Sequence, residues 1–233
     1  MTLKTCLADS GRDVQQITGQ AARLFLQHRR LLLALMSLTA LLAWAILPYE
    51  MAWLATLQND PEQLFKPLAR QLSFWGDWYI GTLLLAGVCW LGGLWSGRDF
   101  IRRAALGFLL AALLAGLFGD IFRYGLGRAR PNAGVADGLY GPTLSAKFHS
   151  FPSGHTTTAF GTAVALAVIY PPVAVPSVML AGGVAWSRLY LNAHHPSDIL
   201  MGCVLGSSFG VVFGLATRRV QNRARKQSRS STR

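Results

Sequence analysis

The chain has 233 residues, 52% of them hydrophobic and only 14% charged, with a formal charge of +12 and a mean hydropathy of +0.35. That balance excludes an ordinary soluble globule and points to an integral membrane protein. The positive charge does not indicate a nucleic-acid partner, because the basic residues gather in the tails and at a few motif positions.

Taken from the N-terminus, the first 30 residues are too polar for a signal peptide. Asp9, Arg12, Asp13, Gln15 and Gln16 break any apolar core, so residues 1–30 are expected to be a cytoplasmic segment and the next apolar run an anchor. Within that segment Val14, Ile17, Ala21, Leu24 and His28 fall near one helical stripe; Leu64, Leu68 and Leu72 do the same within 61–72. Each stripe fits an interfacial helix or packing against a helical bundle. A membrane crossing takes about 20 helical residues. Apolar runs near 31–49, 77–96, 104–122, 156–174, 176–190 and 198–216 therefore predict an all-α membrane bundle of six transmembrane helices, filling 31–216. The fifth run is interrupted, with Pro171, Pro172 and Pro176 at its start and Arg188 at its end.

Loop charge sets the expected orientation. Lys4, Arg12, Arg23, Arg29 and Arg30, then Arg98, Arg102 and Arg103, then the basic tail 217–233, fall on one side of six crossings, and that side is expected to be cytoplasmic. The tail carries seven basic residues and no acidic one, a pattern that meets anionic headgroups or simply fixes topology. Loops 50–76, with Glu50, Asp60 and Glu62, and 123–155, and the turn 191–197, are then external. Cys6, Cys89 and Cys203 have neither disulfide-framework nor zinc spacing.

Polar residues crowd the external ends of these helices, where ionisable groups are costly enough to imply function. Arg123, Arg130 and Arg188 offer planar donor forks that match phosphate oxygens, although a single such arginine could merely snorkel to the headgroups. Pro152-Ser153-Gly154-His155 opens an apolar helix, leaving free N–H groups and a positive dipole end for an anion; an ordinary helix cap reads the same way. Asp198 follows His194 by four residues, a spacing that lets a carboxylate fix an imidazole tautomer, or lets Asp198 serve only the helix dipole.

Together these residues resemble the three signature motifs of the type-2 phosphatidic acid phosphatase superfamily, membrane enzymes related to soluble bacterial acid phosphatases and vanadium haloperoxidases. The first motif, Lys, six residues, then Arg-Pro, fits Arg123 to Pro131 with Arg in place of Lys. The second, Pro-Ser-Gly-His, stands unchanged at 152–155, and the third fits Ser187, Arg188, His194 and Asp198.

The resemblance implies a membrane lipid phosphatase with no metal or other cofactor. It implies that His194 attacks phosphorus, that Asp198 orients it, and that His155 protonates the leaving oxygen and then helps activate water. Arg123, Arg130, Arg188, Ser153 and Gly154 are implied to hold the phosphate oxygens. Undecaprenyl pyrophosphate, phosphatidylglycerol phosphate, phosphatidic acid and lipid A phosphates are the substrates it implies. A bacterial inner membrane with a periplasmic site is the expected location. Phosphotransfer to a second lipid, and a carrier that binds lipid phosphate without chemistry, are the alternatives. Among other polar residues, His195 is expected to be secondary, Arg128, Lys147 and His149 to contact headgroups, Asp120 to pair with an arginine, and Asp77 to mark a helix end.

Overall fold

Long stretches of Leu and Ala, broken chiefly at Pro, Gly and Asp, favour helices with short connections. The computed structural model describes residues 3–58 and 63–231. Among these residues it contains seven α-helices and no strand. They are α1 (Leu3–Gln58), α2 (Lys66–Gly76), α3 (Leu83–Trp95), α4 (Asp99–Leu126), α5 (Gly154–Ile169), α6 (Ala174–Tyr190) and α7 (Pro196–Ser231). Short helical turns at Trp78–Thr82, Ala146–Phe148 and Pro171–Val173 join some of them, and a single isolated bridge, Arg128 to Leu139, ties the loop after α4.

The all-α membrane architecture agrees with the sequence, while the element boundaries differ. Among the described residues three helices are long and apolar enough to cross a membrane, and α2 with α3 makes a fourth if the pair, bent by 64°, is one span. At 1.5 Å per residue α5, with 16 residues, and α6, with 17, reach only about 24 and 26 Å, short of a 30 Å core. The reason is local: Ser153 caps α5 at one end, and Pro171 and Pro172 stop it at the other. Residues 3–30 continue without a break into the first apolar run, because α1 runs from Leu3 to Gln58. Its stripe packs into the bundle, with Ile17, Ala21 and Leu24 buried against Val212, Phe213, Ala216 and Val220 of α7. The expected loop 50–76 is largely helical; Asp60 and Glu62 lie outside the described residues, as does Arg233 of the tail. Of the stripe Leu64, Leu68 and Leu72, the first two are exposed and only Leu72 lies near α6, at Gly183, while Ala69, Ser73 and Gly76 form the buried face of α2.

The seam that places the site is α5 against α7, and glycine makes it possible. Gly202, Gly206, Gly210 and Gly214 recur every four residues along one face of α7. A Cβ at Gly206 would stand 2.2 Å from the Thr157 carbonyl oxygen, and one at Gly214 2.7 Å from Val168 Cβ. Only glycine lets the two backbones approach so closely, as small residues do wherever membrane helices pack tightly.

Charge divides between the two ends of the bundle. At one end Asp13 pairs with Arg102 at 3.0 Å and Arg103 at 2.9 Å, and Gln221 donates to the Phe100 carbonyl. The start of α1, the start of α4 and the final turns of α7 therefore meet there. The last turn of α4, the first turns of α5 and α7 and the last turn of α6 gather at the other end, which carries every residue singled out by the motifs. Between the ends the outward surface is apolar, with Leu31, Trp44, Val88 and Leu180 all well exposed.

Candidate active site

Arg123 lies in the last turn of α4, where its Nη2 pairs with Asp120 at 2.7 Å, as the sequence anticipated. Gly127 ends that helix at φ 60° and turns the chain back toward the bundle. A Cβ at that position would be 1.9 Å from the Gly141 carbonyl oxygen. Arg130 follows, with its N–H bonded to the Lys147 carbonyl at 2.9 Å and Nη2 donating to the His149 carbonyl at 3.3 Å. Lys147 and His149 thus hold Arg130 through their backbones, and His149 Nε2 is within 3.0 Å of the Thr143 carbonyl oxygen, while the Lys147 side chain is exposed.

Gly154 and His155 form the first turn of α5, whose first backbone-paired amide is that of Thr157. The amides before it are free of intrahelical partners, as at any helix start. A Cβ at Gly154 would sit 2.5 Å from an Arg123 terminal nitrogen, so the guanidinium lies directly against this turn. His155 Nε2 is 3.7 Å from an Asp77 carboxylate oxygen, and Asp77 caps the end of α2. A cavity of about 320 Å³ opens here, lined by Asp77, Asp120, Arg123, Gly154 and His155 and continued by apolar residues of α4. Ser153 is wholly buried; its Oγ accepts from Thr156 at 3.0 Å and its N–H donates to the Asp198 carbonyl.

Arg188, in the last turn of α6, donates Nη1 to Ser73 of α2, while the Ser187 hydroxyl turns back to the Val184 carbonyl. Arg123, Arg130 and Arg188 have one feature in common. Each keeps a buried Nε with no hydrogen-bond partner within the protein. Their charges, together with His194, all bear on His155. The three arginines and two histidines that the motifs separate by some 70 residues are thus brought together at one end of the bundle.

His194 occupies the turn between α6 and α7, nearly sealed from solvent. Its Nδ1 is 2.8 Å from the Ser150 carbonyl oxygen, so this nitrogen carries the proton and Nε2 carries the lone pair. The nearest Asp198 oxygen is 3.7 Å away, which corrects the expected direct bond. Asp198 Oδ2 instead accepts from Ser150 Oγ at 2.5 Å and from the His195 N–H at 2.8 Å, and it lies 3.2 Å from His195 Nδ1. Burial is the main cause that pushes the His194 pKa from 6.5 down to about 4, with Asp198 opposing and Arg130 and Arg188 adding to the shift.

Four residues that sequence reasoning missed or misplaced complete this end. Glu50, expected in an external loop, is fully buried in α1, and Arg128, expected at headgroups, is buried beside it. Arg128 pairs through Nη2 with Glu50 and through Nη1 with Asp198 at 2.8 Å and Ser197 Oγ at 2.6 Å. Ser150 and Ser197 are buried too. The available signal was an acid at the end of the first apolar run and an arginine two residues before Arg130; nothing marked the two serines. Glu50, Asp137 and His195 also bring potential ligand atoms within 4.8 Å of one another. A cation already serves that cluster, since Arg128 is paired to Glu50 and lies 3.5 Å from Asp137.

Comparison with known proteins identifies the family. The sequence model of the PAP2 superfamily matches residues 104–224, just over half of the chain and all three motif segments. A lipid A 1-phosphatase of Rhizobium johnstonii is 30% identical over 167 residues, covering 66% of this chain and 68% of that protein. One from Rhizobium etli is 31% identical over 110 residues, 46% of this chain, and the match spans only 47% of that relative. The crystal structure of a transmembrane PAP2-type phosphatidylglycerolphosphate phosphatase from Bacillus subtilis superposes with a TM-score of 0.63 at 20% identity, over 82% of this chain and 96% of that one, a likeness of fold.

Proposed function

The chain belongs to the PAP2 superfamily, and from that premise we propose that it is a bacterial membrane phosphatase that removes a phosphate monoester or terminal pyrophosphate from a lipid through a phosphohistidine. The observation that carries the proposal is the convergence of three buried, unpartnered guanidinium Nε donors on the end of the bundle that holds His155 and His194. Buried donors that lack partners are costly, and a phosphate supplies acceptors to all three at once.

In the proposed reaction His194 Nε2 attacks phosphorus. The N–P bond forms as the bond to the leaving oxygen breaks, and His155 gives that oxygen a proton. Water then attacks the phosphohistidine, His155 takes its proton, and inorganic phosphate leaves with His194 restored. Arg123, Arg130, Arg188, the Ser153 hydroxyl and the free amides at Gly154 hold the non-bridging oxygens while charge shifts among them. The reaction as written needs no metal. The chain's topology follows from the same reading. The end with Arg102, Arg103 and the basic tail faces the cytoplasm, with both chain termini, and the site opens to the periplasm at the inner membrane.

The resemblance to lipid A 1-phosphatases makes a lipid A phosphate the first substrate to test. The decisive experiment measures phosphate release by purified protein in detergent from lipid A, undecaprenyl pyrophosphate, phosphatidylglycerol phosphate and phosphatidic acid, with and without a chelator. Release from at least one lipid, insensitive to chelator and lost in His194→Ala, is the expected result. Unchanged release by His194→Ala, or loss with chelator, would sink the mechanism.

A further inference from the structure

Glu50 lies outside all three motifs and Arg128 fills one of the six unspecified positions of the first, yet both are buried beside the turn that carries His194. A buried ion pair adds little to stability once both ions have lost their water, so packing alone does not explain this one. Its connections do. Glu50 Oε2 accepts from Ser197 Oγ at 2.6 Å and from the Ser197 N–H at 3.3 Å. Arg128 Nη1 donates to the same Oγ and to Asp198 Oδ1. With Oδ1 so held, Oδ2 receives the Ser150 hydroxyl, and the Ser150 carbonyl receives the His194 Nδ1 proton. Glu50 is also the only member of the chain of contacts supplied by α1, a helix on which no motif residue lies.

We propose that Glu50 and Arg128 are positioning residues that fix the His194 ring for attack, acting through Ser197, Asp198 and Ser150. Neither residue is assigned a phosphate contact, because their hydrogen bonds and ion pairs run to the turn 194–198, to each other and, from Arg128, to Asp137. The inference rests on the phosphatase reading above and adds that the first helix sets the aim of the nucleophile. A ring slightly misaimed still lets phosphate bind the arginines but attacks slowly, so the effect belongs in kcat and not in KM.

The test compares wild type with Glu50→Gln, Arg128→Met and the double variant. Each is assayed on the lipid of the above panel that wild type hydrolyses fastest, with orthovanadate and inorganic phosphate as inhibitors. Orthovanadate forms a bond to a ring nitrogen in a trigonal bipyramid, so it reports the aim of Nε2, whereas inorganic phosphate reports the arginines. The expected result is that each single variant loses about 10- to 100-fold in kcat, with KM and the phosphate inhibition constant within about twofold. The vanadate constant rises by a factor similar to the loss in kcat. The double variant is no slower than the worse single, because both act along one path.

Where Arg128→Met leaves the buried Glu50 without a countercharge and yields no folded protein, the double variant carries the test, since it removes both charges. A folded double variant with kcat within about twofold of wild type overturns the proposal, by the same factor expected of an idle pair. So does a parallel loss of kcat, vanadate binding and phosphate binding in proportion to folded fraction, which marks a purely structural pair. Absence of phosphate release by wild type, or full activity in His194→Ala, instead defeats the phosphatase reading itself.

Discussion

Arg128 and Arg130 are two residues apart in the chain and both are shielded from water, yet they stand in opposite electrostatic surroundings. Burial works against the charge of each. At Arg128 the carboxylates of Asp198, Glu50 and Asp137 overcome it and raise the pKa; at Arg130 burial is joined by the neighbouring charge of Arg123, and the pKa falls. Arg128 directs both terminal nitrogens to protein oxygens, whereas Arg130, like Arg123 and Arg188, retains a buried Nε without a partner. Arg128, answered by three carboxylates, fits a scaffold role, whereas the three arginines that keep unpartnered Nε donors at the end holding His155 and His194 fit the proposed phosphate, an anion with several oxygens.

The largest expected effect comes from removing the nucleophile. His194→Ala is expected to lower phosphate release by about 10⁴-fold or more, as loss of a covalent catalyst does, with thermal stability retained. Acid-labile phosphoprotein, trapped by quenching during turnover, is expected in wild type and absent in the variant; a trapped phosphoprotein in the variant would break the assignment. Next comes the contrast between forks. Arg188→Lys keeps the charge but loses the planar donors, with an expected loss of about 100-fold in kcat/KM. An activity within a few-fold of wild type would show that charge alone suffices there.

Gly154→Ala sharpens the comparison at smaller scale. The added Cβ meets only the end of the Arg123 side chain, so the fold tolerates it while the guanidinium is displaced. The expected loss is about 10-fold in kcat/KM, comparable to one weakened charge-assisted contact. In an Arg123→Ala background the same substitution is expected to add little, because both act through one group. Equal losses in the two backgrounds would detach Gly154 from Arg123.

The His194 ring gives a pH signature. It lies in the turn outside the membrane-spanning helices, and its nucleophilic form is the neutral one, present above a pKa of about 4. An ordinary histidine would lose that form below 6.5. Phosphate release is therefore expected to fall little between pH 7 and 5.5 on account of this group. The same shift bears on stability with a definite sign. The unfolded state takes up a proton near 6.5 while the folded state does not, so the contribution of His194 is complete above that pH and declines as pH falls toward about 4. A His194 ring that titrates near 6.5 when followed by NMR would contradict the shielded ring.

The fold class and the site were legible in the sequence to different depths. Apolar runs announced an all-helical membrane bundle, and cations at their ends announced which end matters, since both signals are local in the chain. Helix lengths were not legible. Hydropathy marks where α5 is apolar but not that Ser153 and Pro171 bound it at 16 residues. The close α5–α7 seam rests on glycines spaced by four, a pattern hidden within a run that reads simply as apolar. Glu50 and Ser150 were invisible for another reason: they enter the site through partners 78 and 48 residues away, Arg128 and Asp198, and no local pattern signals such pairs. Likewise the spacing of His194 and Asp198 implied a direct bond, where the protein interposes Ser150.

The far end of the bundle supplies the last and smallest effect on activity. Arg102 is buried and paired with Asp13 at 3.0 Å and Asp99 at 3.1 Å, and it too keeps Nε and Nη1 without partners, but it stands far from both histidines and its partners lead to no catalytic turn. If pairing alone made an arginine important to the reaction, disturbing this cluster would slow it. Asp13→Asn leaves Arg102 and Arg103 with only the exposed Asp99 to answer them. The expected outcome is a loss of stability of about 3 kcal/mol, typical of breaking one side of a buried pair, read as a lower melting temperature in detergent. The expected kcat per folded molecule is unchanged. A tenfold fall in kcat with unchanged stability would reverse the argument, because it would mean that the two ends of the bundle communicate and that charge pairing distant from His194 still governs its attack.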